Sequence, residues 1–316
     1  MVNASIVNMG QRAREGAKKA AKRVLPPHAA QKARDLHFLL KGPERKRTEA
    51  VFLGASTAPE YLPASMLPRL QKSYPPGDFG GYDETSLEKC GRSRAREILG
   101  LPGATEAISF LEVGCWDGMV SAALQESGKR CTGVDLRTEG FDGRSSAAGV
   151  ELRQMDAESL EFPDESFDYV FSYNSFEHFA RPDRVLGEMK RVTKKGGSIW
   201  LSFAPLYFSP YGEHAYKSIT VPYCQLLFSG DVLNAFCREH GLREIDFSHV
   251  NRWRVGDFRG LWEKNSADLE RIKYREGHDP DHLGLVRKYP SCFRSKTDSF
   301  DDLTVSSMEV LFRRTA

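Results

Sequence analysis

The sequence predicts an α/β protein: a doubly wound, mostly parallel sheet with a helical N-terminal extension. Three observations carry that expectation. An apolar run, 108–113, ends in an acid and a glycine turn and passes at once into a helical pattern of Val120, Ala123 and Leu124. Strand-like and helix-like stretches then alternate as far as 204. Such alternation requires crossover helices, which cover both faces of a parallel sheet.

The elements follow in order. Thr85 and Glu88 have the spacing of a capping box, and Leu87, Gly91, Arg94, Ala95 and Ile98 form one helical stripe closed by Gly100 and Pro102. A helix placed there, just before the first strand, is expected to lie across the ligand crevice. Strand candidates lie at 108–113, 131–136, 150–154, 167–173 and 197–204. Pro182 suits the first turn of a helix whose buried face is Val185, Leu186, Met189 and Val192, with Gly196 and Gly197 as its stop. Ser229 caps a helix carrying Leu233, Phe236 and Cys237, stopped by Gly241. Two late strands are expected at 242–250 and 304–313. The span 137–149 is short and broken by Gly140, Gly143 and Gly149, which leaves little room for a full second crossover helix.

Composition narrows the class. The 316 residues include 45 Lys or Arg and 43 Asp or Glu, an ordinary charge content for a globular chain. Residues 1–50 hold 12 Lys or Arg against 4 Asp or Glu, a balance of +8, so the remainder carries −6. Within that basic arm Ile6, Met9, Ala13, Ala17, Ala20 and Val24 recur at helical spacing up to Pro26. Their mostly alanine face gives at most weak contact with a membrane surface. Residues 54–81 read as an irregular linker. The expected division is therefore an arm and linker at 1–81 and a catalytic domain at 82–316. No apolar stretch has the length of a membrane span, and the start of the chain lacks a signal-peptide core. Six scattered cysteines without a Cys-x-x-Cys pair suit a reducing compartment, so a cytoplasmic location is expected.

The acid before the glycine turn selects the ligand. Glu112 would repel a pyrophosphate resting on the following helix and would attract ammonium and sulfonium groups. That favours S-adenosylmethionine over a dinucleotide. A nicotinamide enzyme would also have glycine at 116 and 119, where this chain has Trp116 and Met119. A non-catalytic protein retaining the same sheet is the other alternative.

Four motifs together resemble the class I S-adenosylmethionine-dependent methyltransferases, and more narrowly the type 11 group acting on small molecules. They are Leu111 to Gly118, Gly133 to Leu136, Met155 to Leu160 and Phe167 to His178. The resemblance implies a Rossmann-like, seven-stranded sheet of the methyltransferase type. It also implies that Glu112 holds the methionine ammonium through water beside Gly114 and Gly118. Asp135, 21 positions beyond Gly114, would grip the ribose next to Leu136. Asp156 and Ala157 would hold the adenine, and Tyr173 would face the cofactor from the fourth strand. Trp116 departs from the family's glycine, so the turn must swing the indole outward or adapt its backbone.

The acceptor side is expected in 205–228 and 252–303, walled by Tyr207, Phe208, Tyr211, Tyr223, Trp253 and Trp262. His214 is the expected general base and His178 the second candidate, since imidazole has a suitable pKa. No metal is expected, because the histidines lack His-Glu-x-x-His spacing. The segment from Glu276 to His282 offers cation-binding groups, but an exposed polar turn is the preferred reading. Ser172 to Ser175 is not the Asn-Pro-Pro-Tyr type used on nucleobase amines, so nucleic acid is disfavoured. A small-molecule, glycan-linked or lipid-linked acceptor fits better. The oligomeric state is left open.

Overall fold

Alternate residues of the first apolar run part to opposite sides. Leu111 and Val113 enter one buried cluster and Phe110 another, with all three 0% exposed. A strand buried on both faces must lie inside a sheet. The computed structural model describes residues 36–76 and 83–316. The basic periodicity read at 6–24 lies outside the described residues.

Strands β1 (Ser109–Val113), β2 (Arg130–Asp135), β3 (Glu151–Gln154), β4 (Phe167–Tyr173) and β5 (Thr193–Phe203) are parallel where they pair. β6 (Leu269–His278) and β7 (Val305–Arg314) complete a seven-stranded sheet in the order β3-β2-β1-β4-β5-β7-β6. β7 runs antiparallel to both β5 and β6.

Helix α1 (Gly42–Leu53) and α2 (Leu67–Ser73) precede α3 (Glu84–Leu99). The expected irregular linker thus contains a helix, and Phe52, Leu67 and Leu70 are buried with residues 219–228 and 283–303. Asp83, not Thr85, caps α3: its side chain accepts from Ser86 N. α4 (Met119–Glu126) follows β1, and α5 (Gly143–Ala147) is the short second crossover that the glycines at 140–149 foretold. α6 (Pro182–Val192) buries Val185, Leu186, Met189 and Val192 as expected. It stops at Val192; Gly196 and Gly197 lie inside β5 instead. α7 (Cys224–Leu227) and α8 (Gly230–Glu239) come next, the latter capped by Ser229 through Val232 N.

The strand expected at 242–250 does not form. Asn234 on α8 takes the backbone of that segment, donating to Ile245 O and accepting from Ile245 N, so no ladder is needed. The late strand is β6, within 252–303, which also holds α9 (Val255–Lys264), α10 (Leu283–Lys288), α11 (Pro290–Arg294) and α12 (Phe300–Thr304). β6 escaped the sequence reading because Glu270, Arg271, Lys273, Arg275 and Glu276 mask it. Charge of that kind is how an edge strand avoids pairing with another molecule.

α3 packs on α4 at Gly91, where a Cβ would lie 2.5 Å from Met119 O. Helix propensity alone favours Ala over Gly by about 0.5–1 kcal/mol. Here packing overrides it, because the obstacle is backbone. Gly91→Ala should lower stability by about 1–3 kcal/mol. A urea midpoint equal to or above that of the parent chain would show that α3 is free to shift.

Candidate active site

The strand order reverses between β1 and β4, and in an open α/β sheet the crevice at the carboxyl ends there is the binding place. Gly114, the first residue after β1, has φ +76° and donates its N–H to Val134 O at 2.8 Å. Its carbonyl accepts from Ser175 Oγ at 2.8 Å, so the loops after β1 and β4 are tied together. A Cβ at Gly114 would come within 2.5 Å of Ser175 Cβ. Only glycine meets both the positive φ and the close approach. Gly118, φ +70°, repeats the logic against Leu152 at the start of α4.

Trp116 resolves its conflict in the first of the two ways that the sequence allowed. The turn keeps a left-handed backbone, φ +47°, and the indole turns outward, 51% exposed, against Gly140. The backbone N–H of Trp116 donates to Asp135 Oδ2 at 2.9 Å, and the backbone N–H of Arg137 donates to Oδ1 at 3.1 Å. Each carboxylate oxygen retains capacity for a further donor. Leu136, 63% exposed, stands next to Asp135. The end of β2 therefore offers two open apolar side chains around a carboxylate.

Glu112 points inward. It is 3% exposed, and its Oε2 accepts from Ser121 Oγ at 2.6 Å and Ser121 N at 3.2 Å on α4. Burial pushes its pKa up to about 8 despite these bonds. Asp156 is exposed and accepts from Glu158 N at 2.9 Å, while Ala157 is buried. Tyr173 closes β4, with the Arg94 guanidinium 4.0 Å from its ring centre. Arg94 comes from α3, the helix expected across the crevice. Its positive charge bears on Glu112, Asp117, Tyr173 and Glu177. The sequence reading placed Arg94 on the helical stripe without assigning it a role.

The two candidate histidines do come together: the rings of His178 and His214 stand perpendicular, centres 4.8 Å apart. His178 follows β4 and donates from Nδ1 to His249 O at 2.7 Å. His214 lies in the loop after β5, at φ +56°, and donates from Nε2 to Pro205 O at 3.3 Å. A carbonyl only accepts, so each bond fixes a neutral tautomer. Burial pushes the pKa of His178 down to about 4 and that of His214 to about 3. Both are therefore neutral at pH 7. His249 is a third member that the sequence reading missed; three histidines so far apart along the chain carry no local signal.

Part of the expected acceptor wall is core instead. Tyr223 (0% exposed) donates to Leu303 O, and Trp262 (2%) packs on Phe258, Phe176 and Phe312. Tyr207 remains partly exposed beneath Arg252. In the 276–282 segment, Glu276 is held bidentately by Arg259 and Asp281 pairs with His37.

Residues 111–201 match the methyltransferase domain family. Across 116 residues the chain is 36% identical to a fatty-acid O-methyltransferase of Mycolicibacterium smegmatis, covering 35% of this chain and 42% of that one. Across 96 residues it is 38% identical to a phosphatidylethanolamine N-methyltransferase of Cereibacter sphaeroides, covering 28% and 47%. The chain thus spans less than half the length of these two relatives. A solved protein of Pyrococcus horikoshii superposes with a TM-score of 0.48 at 17% identity, covering 75% of this chain and 95% of that one.

Glu177 supplies a pH test. It is 1% exposed, its Oε2 has no hydrogen-bond partner among the described residues, and burial pushes its pKa up to about 8. A raised carboxyl pKa means that the folded chain keeps a proton which the unfolded chain has released. Stability therefore falls as pH rises from the ordinary carboxylate range towards 8, by up to about 1.4 kcal/mol per pH unit for the group. Glu177→Gln should make the decline in urea stability between pH 5 and about 8 shallower. An unchanged slope would show that Glu177 is not buried as a neutral acid.

Proposed function

We propose that this chain, which has the Rossmann-like class I methyltransferase fold and a methyltransferase domain at 111–201, carries a methyl group from S-adenosylmethionine to an oxygen of a small, sugar-linked or lipid-linked acceptor. One observation carries the reading. The matched domain falls on the strand-order reversal, with Asp135 at its edge between two exposed apolar side chains. A nucleoside has that chemistry: apolar faces and a diol.

The residues present fit the cofactor. Asp135 would accept from the ribose hydroxyls, with Leu136 and Trp116 against the apolar faces of the nucleoside. Asp156 and Ala157 N would hold the adenine. Gly114 and Gly118 bring backbone rather than side chains to the crevice. Arg94 supplies the positive charge that the methionine carboxylate needs, and an ammonium arriving near Glu112 would favour the ionised form of that buried carboxyl. The bound cofactor supplies an electrophilic methyl on a sulfonium. The chain supplies orientation, and holding two reactants in attack geometry accounts for much of such a rate.

His214 would stand on the acceptor side with Nδ1 carrying the lone pair, because Nε2 donates to Pro205 O. A hydroxyl acceptor would donate to that nitrogen. Its lowered pKa keeps the lone pair available throughout the neutral range, at the expense of basicity. Residues 205–228 and 252–303 contribute the acceptor side in this reading. The basic N-terminal residues would give a weak contact with an anionic surface.

The test is incubation of the chain with methyl-labelled S-adenosylmethionine and a cell extract. Label should appear in a small or lipid-extractable product; absence of any labelled product would favour a non-catalytic binding protein. Asp135→Ala should weaken cofactor binding by about tenfold or more, the loss of a charge-assisted hydrogen bond. Calorimetry giving an unaltered dissociation constant would contradict the cofactor assignment. His214→Ala should lower turnover of the identified acceptor sharply with cofactor affinity barely changed; full turnover would remove His214 from the chemistry.

A further inference from the structure

The three imidazoles at the carboxyl edge of β4 and β5 have an arrangement that proton transfer does not require. His178 comes from the segment after β4, His214 from the loop after β5, and His249 from the segment between α8 and α9. One ring nitrogen of each lies within 4.8 Å of the others. The centres of the His178 and His249 rings are 4.3 Å apart, and those of His214 and His249 are 6.0 Å apart.

The cluster is braced from outside. His178 donates Nδ1–H to the backbone carbonyl of His249 itself, so the orientation of one member is set by the main chain of another. His214 donates Nε2–H to Pro205 O. Asn251 holds the same segment down, with its N–H on Glu177 O and its side chain on Phe176 O and Phe179 O. A ring N–H fixed on a carbonyl is the usual outer support of a metal-ligating histidine, because it leaves the opposite nitrogen with its lone pair. That nitrogen is Nε2 in His178 and Nδ1 in His214. His214 also holds a left-handed backbone, φ +56°, a conformation that persists only where the surroundings impose it.

We propose that His178, His214 and His249 together bind one divalent d-block cation. Three neutral nitrogen donors suit Zn²⁺ and its neighbours; Mg²⁺ and Ca²⁺ prefer oxygen. Zn–N bonds of about 2.0–2.1 Å require the nitrogens to close up, and the exposed His249 ring is the one with room to turn. Three protein ligands leave a coordination position open, as catalytic sites do. An oxygen of the acceptor would take that position and shed its proton to solvent. With the cation bound, His214 Nδ1 is a ligand; without it, the same nitrogen is the one to which the acceptor hydroxyl would donate. This last step rests on the proposed methyl transfer; the cation site does not.

The test uses the full chain without an affinity tag, stripped with a chelator and titrated with Co²⁺ in the absence of S-adenosylmethionine and acceptor. Visible d–d absorption should saturate at one Co²⁺ per chain and should be abolished by Zn²⁺. His249→Ala changes an exposed residue and should weaken Co²⁺ binding by at least about 10-fold, as should His178→Ala. His240→Ala, at a histidine stacked on Phe236 on α8, should leave it unchanged. Zn²⁺ should raise the melting temperature of the parent chain and not that of His249→Ala, which controls for a folding defect. No saturable spectrum, or equal binding by His249→Ala and the parent, would overturn the proposal. Because no methyl donor is present, failure here is separable from failure of the methyl-transfer reading.

Discussion

The close crossing of Gly114 and Ser175 is the constraint on which the site depends. The loops leaving β1 and β4 diverge in sequence, yet they must share the space above the strand-order reversal. The hydrogen bond from Ser175 Oγ to Gly114 O brings them together, and the missing Cβ at Gly114 makes the approach possible. On one side of that tie the turn runs to Trp116 and Asp135. On the other it runs through Glu177 to His178. Both ends of the proposed reaction are thus hung from one backbone contact.

Charge is arranged around the tie by depth. Glu112 and Glu177 lie beneath it, buried and pushed towards neutrality, while Asp135 and Asp156 sit at the rim. Arg94 reaches in from α3, and its charge bears on both buried acids. A cation arriving in a cleft built this way would favour ionisation of the acids below.

Much of this was legible in the sequence, and the failures have physical causes. β1, β4 and the 198–203 part of β5 were readable because strands buried on both faces are largely apolar, whereas β3 is an exposed edge strand that owed its place to the alternation of Val150 and Leu152 with Glu151 and Arg153. β6 was not, because an edge strand hides its apolar residues among charges. The alternation of Ile245 and Phe247 with Asp246 and Ser248 imitated a strand, but Asn234 satisfies the backbone there and the segment stays irregular. Trp116 was recognisable as an anomaly from the motif alone, and its positive φ shows that the turn kept its shape at the expense of some strain. Tyr223 and Trp262 looked like an acceptor wall because aromatic residues suit clefts and cores equally well. The meeting of His178, His214 and His249 was beyond any local pattern, since it depends on where three separate loops end.

The central claim is that the crevice beside Asp135 is where the methyl donor lies. A crystal structure of the chain grown with S-adenosylhomocysteine tests it most directly. The account requires the ribose hydroxyls within hydrogen-bond distance of the Asp135 carboxylate, with the amino-acid end towards Arg94. Ligand density elsewhere, or an empty crevice at saturating ligand, would contradict it.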